Sequence, residues 1–108
     1  MFVMDIQIFE HHFQLNDLQR EYILGKMETL AKHLGKIGED ASVEAKVSMT
    51  KEDTKADDDR FLCEVTILLP KHNTLRCQTR ALTSSAAIDL SEEKLKKQIE
   101  KLRTKLIG

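Results

Sequence analysis

The 108-residue chain has no tryptophan, one tyrosine, one proline, four glycines and two cysteines. So few aromatic rings leave little platform for stacking unpaired bases; Phe9, on the polar side of its strand-like run, is the one exception. None of the glycines belongs to a Gly-rich phosphate loop, and CxxC, HExxH and GxSxG are also missing, so no nucleotide, zinc-protease or serine-hydrolase signature is present. No apolar run approaches the roughly 20 residues that a bilayer crossing needs. The opening MFVMDIQIFEHH lacks a basic stretch ahead of a long apolar one, so the expected address is the cytoplasm. Cys63 and Cys77 sit in strand-like apolar runs and read as reduced core residues rather than halves of a disulfide. An excess of one charge is lacking too: 17 Lys and Arg face 18 Asp and Glu, for a net charge of −1. Any basic site must therefore come from segregation of charge.

Segregation is visible. From Arg76 onward the bases Arg76, Arg80, Lys94, Lys96, Lys97, Lys101, Arg103 and Lys105 outnumber Asp89, Glu92, Glu93 and Glu100, whereas Lys51 to Arg60 is dominated by Glu52, Asp53, Asp57, Asp58 and Asp59. The basic stretch coincides with a long helical pattern from Thr83 to Lys105. Ser84 or Ser85 is its expected N-cap, acids crowd its early turns, and Lys101, Arg103 and Lys105 crowd its end, as the helix dipole favours. At about 100° per residue, Ile88, Leu95, Ile99, Leu102 and Leu106 share one arc. Lys94, Lys97, Lys101 and Lys105 share a second arc about a third of a turn away. A row of ammonium groups suits either plain solvation or a partner with regularly spaced negative charge, such as a nucleic-acid backbone.

The preceding chain alternates between the two periods of regular structure. Met4, Ile6 and Ile8 alternate with polar residues and predict a strand over about Phe2 to Glu10. Asn16 or Asp17 then caps a helix to about Leu34 with the stripe Ile23, Met27, Leu30 and Leu34, led by Leu18 and Tyr22 and stopped by Gly35 and Gly38. Gly25 inside it costs about 1 kcal/mol against alanine, which close packing or close approach to a ligand would explain. Three further runs have one apolar and one mostly polar face, as in an antiparallel sheet covered on one side. They are Val43 to Met49, Phe61 to Leu69 and Leu75 to Ala81, separated by a long acidic loop and by a tight turn at Pro70-Lys71-His72-Asn73. The expected fold is a single α+β domain over 1–108, a β-α-β-β-β-α sandwich with two helices on one face of a four-stranded sheet.

Catalytic and metal constellations are hard to assemble. His11 and His12 would point to opposite sides of a strand and lack further ligands. Cys63 or Cys77 with His72 would pair a buried thiol with a turn residue, and Asp57, Asp58 and Asp59 lie where nothing would hold a catalytic geometry. No enzyme, cofactor, metal or small-molecule substrate is expected.

The first helix reads LNDLQREYILGKMETLAKHLGKI and the last AAIDLSEEKLKKQIEKLRTK. Arg20-Glu21-Tyr22, Lys26, Leu30, Lys32 and Ile37 in the first, and Ala86-Ala87-Ile88-Asp89, Lys94-Leu95, Lys97-Gln98 and Lys101 in the second, resemble the ribosome hibernation promoting factor and ribosome-associated inhibitor family, also called sigma-54 modulation proteins. The resemblance covers nearly the whole chain. It implies a fold similar to double-stranded RNA-binding domains and binding in the mRNA and tRNA channel of the small ribosomal subunit, where members inhibit translation under stress or in stationary phase. It implies rRNA contacts from Arg20, Lys26 and Lys32 on the first helix, as a second basic row, and from Lys94, Lys97 and Lys101 on the last. Lys105 joins these from the lysine arc, and Arg76 and Arg80 from strand alternation. Leu82-Thr83-Ser84-Ser85 replaces the family's usual Asp-Met-Tyr, the acidic loop is longer than usual, and Gly25 and Glu100 stand where charged or basic residues are more common. Glu100 is expected to weaken the lysine row locally. The chain resembles the family's short form, without the domain by which long members pair ribosomes. The alternative is a protein-binding regulator acting through the open sheet face or the acidic loop.

Overall fold

In the computed structural model, residues 4–35, 43–52, 60–69 and 74–107 are described, the last two by backbone only. The acidic segment 53–59, the turn at 70–73, Gly38 and the side chain of Leu106 lie outside the described residues. The order is β1 (Met4–His11), α1 (Asp17–Leu34), β2 (Val43–Lys51), β3 (Phe61–Leu68), β4 (Leu75–Ala81) and α2 (Ser84–Ile107). The α+β fold is therefore as expected.

The four strands form one sheet in the order β1-β2-β3-β4. β1 runs parallel to β2, as the α1 crossover between them requires, while β2, β3 and β4 pair antiparallel. Both helices lie on one face. α2 packs on β3 and β4 and against α1, and α1 lies over β1. Alternation puts Val43, Ala45, Val47 and Met49 of β2, and Cys63, Val65 and Ile67 of β3, into the core beneath Ile23, Met27, Leu30, Leu34, Ala87, Ile88, Leu95 and Ile99. The opposite sheet face carries polar rows such as Gln7–Lys46–Thr66–Arg76 and Phe9–Ser48–Glu64–Gln78.

The helix ends show which local signals acted. Asn16 caps α1: its side chain accepts from the Gln19 N–H at 2.8 Å and the Gln19 side chain accepts from the Asn16 N–H at 2.9 Å, a reciprocal capping box. Gly35 ends α1 at φ +54°, a conformation that favours glycine, and its N–H reaches the Lys32 carbonyl at 3.2 Å. α2 is capped by neither Ser84 nor Ser85. Thr83 Oγ1 accepts from the Ala86 N–H at 3.0 Å, and Ser84 is buried instead. Gly25 faces open space: a Cβ there would meet nothing within 4 Å, so neither packing reason nor crowding explains it. Leu18 and Tyr22, assigned to the leading edge of the apolar stripe, are exposed, Leu18 at 77%.

Candidate nucleic-acid interface

α2 is seated on β4 by a buried polar contact between them. Thr79 Oγ1 donates to the Ala87 carbonyl at 2.8 Å and lies 2.8 Å from Ser91 Oγ, which itself donates to the Ala87 carbonyl at 3.0 Å. These hydroxyls are buried and satisfied, so they fix the height of the helix along the strand. Two longer side chains of α2 then reach past the strand. Lys94 Nζ donates to the Gln78 carbonyl at 3.4 Å and Gln98 Nε2 to the Arg76 carbonyl at 2.8 Å. β4 is the last strand of the sheet, so these carbonyls belong to its unpaired edge. One flank of α2 therefore covers that edge.

The lysine arc lies on this flank. Lys94, Lys97, Lys101 and Lys105 are exposed, and at about 1.5 Å rise per residue they span about 16 Å along α2. Arg76 and Arg80 are exposed on the open face of the same strand. Arg80 is held by Glu52, whose Oε1 lies 2.8 Å from its Nε. Arg76 and Arg80 on the open face, the latter ion-paired to Glu52, and Lys94, Lys97, Lys101 and Lys105 on α2 thus flank the β4 side of the sheet from its two faces. Lys97, Lys101 and Lys105 carry no ion pair among the described residues. Glu100 falls outside the row, about 100° round the helix from its centre, so the local weakening expected of it is at most that of a neighbour on the border.

The bases of α1 do not join this group, nor do they form a row of their own. Arg20, Lys26 and Lys32 are six residues apart, so each step turns the helix by about 240° and the three point in different directions. Arg20 is ion-paired to Glu10 of β1, whose other oxygen accepts from the Leu15 N–H at 2.5 Å. Lys26 faces α2 and lies 3.3 Å from Asp89 and 3.5 Å from Glu92. Its ammonium also sits 5.3 Å from the centre of the Tyr22 ring. Lys32 alone points outward to solvent.

Sequence reasoning missed the seam that engages Lys26. Tyr22 Oη donates to Asp89 at 2.5 Å, and Lys96 lies 3.5 Å from Glu92. The hydrogen bond to Asp89 raises the Tyr22 phenol above its ordinary value, and Asp89 likewise raises Lys26, with Glu92 adding to the effect. Both Tyr22 and Asp89 stood in the motifs that carried the family resemblance, but nothing in their spacing linked residues 67 positions apart.

Burial pushes the Cys63 thiol up to about 11 and also raises Cys77, so neither is a ready thiolate. Both are free cysteines. No group of three or more side chains among the described residues is placed to ligate a metal. Among the described residues no helix is long and apolar enough to cross a membrane. Phe9 is 44% exposed on the open sheet face.

The structure is similar to that of the Thermus thermophilus Protein Y N-terminal domain, with a TM-score of 0.71 and 22% identity over 92% of this chain and 99% of that one. It is equally similar to a ribosomal subunit interface protein from Coxiella burnetii, with a TM-score of 0.72 and 15% identity over 94% of this chain and 99% of that one. At these identities the likeness establishes the fold. No curated protein sequence matches the chain. The family model described as sigma 54 modulation protein / S30EA ribosomal protein matches residues 6–107, nearly the whole length, and the chain belongs to that family.

Proposed function

We propose that this protein binds the small ribosomal subunit in the channel used by mRNA and tRNA, and that it thereby silences ribosomes under stress or in stationary phase. The observation that carries the reading is the row of exposed lysines on α2 beside the edge strand β4, in a chain of a ribosome-associated family whose net charge is only −1. A chain with no net positive charge that gathers four exposed lysines on one flank of a helix, beside Arg76 and Arg80 of the edge strand, is suited to a phosphate backbone met on one side. The contacts would be to phosphates and to groove shape, since aromatic stacking platforms are few. Arg76, Arg80, Lys94, Lys97, Lys101 and Lys105 form the core of the footprint. Arg20, Lys26 and Lys32 belong to it only where rRNA wraps onto α1, and Lys26 would first have to leave Asp89 and Glu92. The mechanism is occlusion in the cytoplasm, with no catalytic step and no cofactor.

Co-sedimentation with isolated small subunits tests the reading. Binding at low salt should weaken by roughly 10³-fold or more between 50 and 200 mM salt if six or so phosphates are contacted. No binding at low salt, or binding indifferent to salt, rejects it.

A further inference from the structure

The opposite edge of the sheet is built differently. β1 is the first strand of the sheet, eight residues long, and holds no proline, glycine or lysine to discourage pairing. No side chain among the described residues covers its outer backbone in the way Lys94 and Gln98 cover β4. Its core-side residues Met4, Ile6 and Ile8 are only half-buried, whereas their neighbours Val43, Ala45 and Val47 on β2 are at most 1% exposed. α1 runs antiparallel to β1, because it carries the chain back between two parallel strands. Arg20 meets Glu10, and four helical residues rise about 6 Å, as far as two strand residues, so Leu24 comes to lie over Ile8 and Glu28 over Ile6. Leu24 is 36% exposed and stands about 200° round α1 from Lys26, which faces α2; with Arg20 and Glu28 it forms the outer flank. Glu28 is exposed and has no ion-pair partner among the described residues. Glu10 engages one end of the Arg20 guanidinium, and that side chain is still 39% exposed.

We infer that two copies of this chain pair antiparallel through β1 about a two-fold axis at Ile8, joining their four-stranded sheets edge to edge. Self-complementarity selects a second copy as the partner. The axis sets Ile8 against Ile8 and, above it, Leu24 against Leu24. On the open face each Asp5 stands opposite the His11 of the second copy, a carboxylate facing an imidazole N–H. On the helix side each Arg20 stands opposite the other copy's Glu28. Ile6 meets the stem of Glu10, whose carboxylate is already held by Arg20 and the Leu15 N–H. No acid then faces an acid along the paired strands or the facing helix flanks. Neighbouring registers that keep the faces matched are worse. An axis at Gln7 would set Asp5 against Phe9 and Leu24 against Glu28, and one at Ile6 would set Glu28 against Glu28. The β4 edge and its lysines lie at the far side of each sheet, so the inference holds or fails independently of ribosome binding.

Sedimentation equilibrium of the intact protein without ribosomes, from about 1 µM to about 1 mM, tests the pairing. The average mass is expected to rise reversibly from one chain to two, with β1 amides exchanging at least about tenfold more slowly at the upper concentration. Leu24→Glu should weaken association at least about 100-fold by setting two carboxylates on the axis, with the fold intact because Leu24 already meets solvent. Asp5→Lys should weaken it about tenfold, and Asp5→Lys with His11→Asp should restore it, because the facing pair is only exchanged and both positions are exposed. A chain that stays monomeric throughout overturns the proposal and leaves the β1 edge to another protein. Undiminished association of the Leu24→Glu variant overturns it by placing the contact elsewhere. Failure of the double variant to recover overturns the axis at Ile8.

Discussion

The two edges of one sheet have been finished in opposite ways. At β4 the outer carbonyls of Arg76 and Gln78 are covered by Gln98 and Lys94, and the cover is basic. At β1 no side chain among the described residues covers the edge, and the apolar side chains behind it are half-buried. An unpaired strand edge is a template for any extended chain. Covering it with Lys94 and Gln98 removes that template at β4, whereas among the described residues the edge of β1 keeps it. A nearly neutral chain thus finishes the two edges of its sheet differently, one on each side of the same core.

Charge reversal on the covered edge should give the largest effect. Lys97→Glu with Lys101→Glu is expected to lower small-subunit binding at least about 100-fold, since two phosphate contacts become two repulsions. The melting temperature should stay nearly unchanged because both side chains are exposed and unpaired. A folded double variant that binds and inhibits as well as the parent would erase the distinction between the edges. A smaller loss is expected where α2 is attached to β4. Thr79→Val removes the hydroxyl that joins Ser91 and the Ala87 carbonyl, and should destabilise the protein by about 1 to 2 kcal/mol in urea denaturation. An unchanged midpoint would mean that these buried hydroxyls do not seat the helix.

Much of this was legible from particular residues, and the failures have physical causes. Alternation placed every strand because each has one wet face and one dry one, and Asn16 and Gly35 marked α1 because each solves a backbone problem at a helix end. Thr83, Ser84 and Ser85 offered three neighbouring hydroxyls, and only the path of the chain into α2 decides which one caps. The lysine row of α2 followed from its spacing. The supposed row on α1 was refutable from spacing alone, because residues six apart cannot share a helical face. What spacing could not reveal was that Arg76 and Arg80 flank the same side of the sheet as the lysines, since that depends on which strand becomes the edge. Nor could it reveal that Met4, Ile6 and Ile8 of β1 stay half-buried, which depends on where α1 comes to rest.

Gly25 tests how far either surface extends over α1. With open space around its missing side chain, Gly25→Ala should stabilise the protein by about 0.5 to 1 kcal/mol, read as a rise in denaturation midpoint. Unaltered small-subunit binding by this variant would keep the footprint on the β4 edge. Weaker binding despite greater stability would carry the footprint onto the exposed face of α1, and with it Lys32.

The smallest effect concerns the seam that holds α1, which lies over β1, to α2, which covers the β4 edge. The phenol of Tyr22 is raised above its ordinary value of 10.0 because its neutral form donates to Asp89, and Lys26 is raised above 10.5 by the same carboxylate and by Glu92. For a group whose folded value is raised, the stabilisation is whole below the unfolded value and disappears as pH climbs through the folded one. The seam is therefore intact through neutral and mildly alkaline conditions and weakens only beyond 10.0, where the unfolded chain sheds the tyrosine proton first. Tyr22→Phe lacks that bond at every pH. Its melting temperature should lie slightly below the parent's by a constant margin from about pH 6 to pH 9, and the margin should narrow above 10.0 as the parent loses the contribution the variant never had. Parallel alkaline declines in the two proteins would show that the Tyr22 to Asp89 bond adds nothing to the joining of the helices, leaving their packed apolar faces to hold the two edges in place.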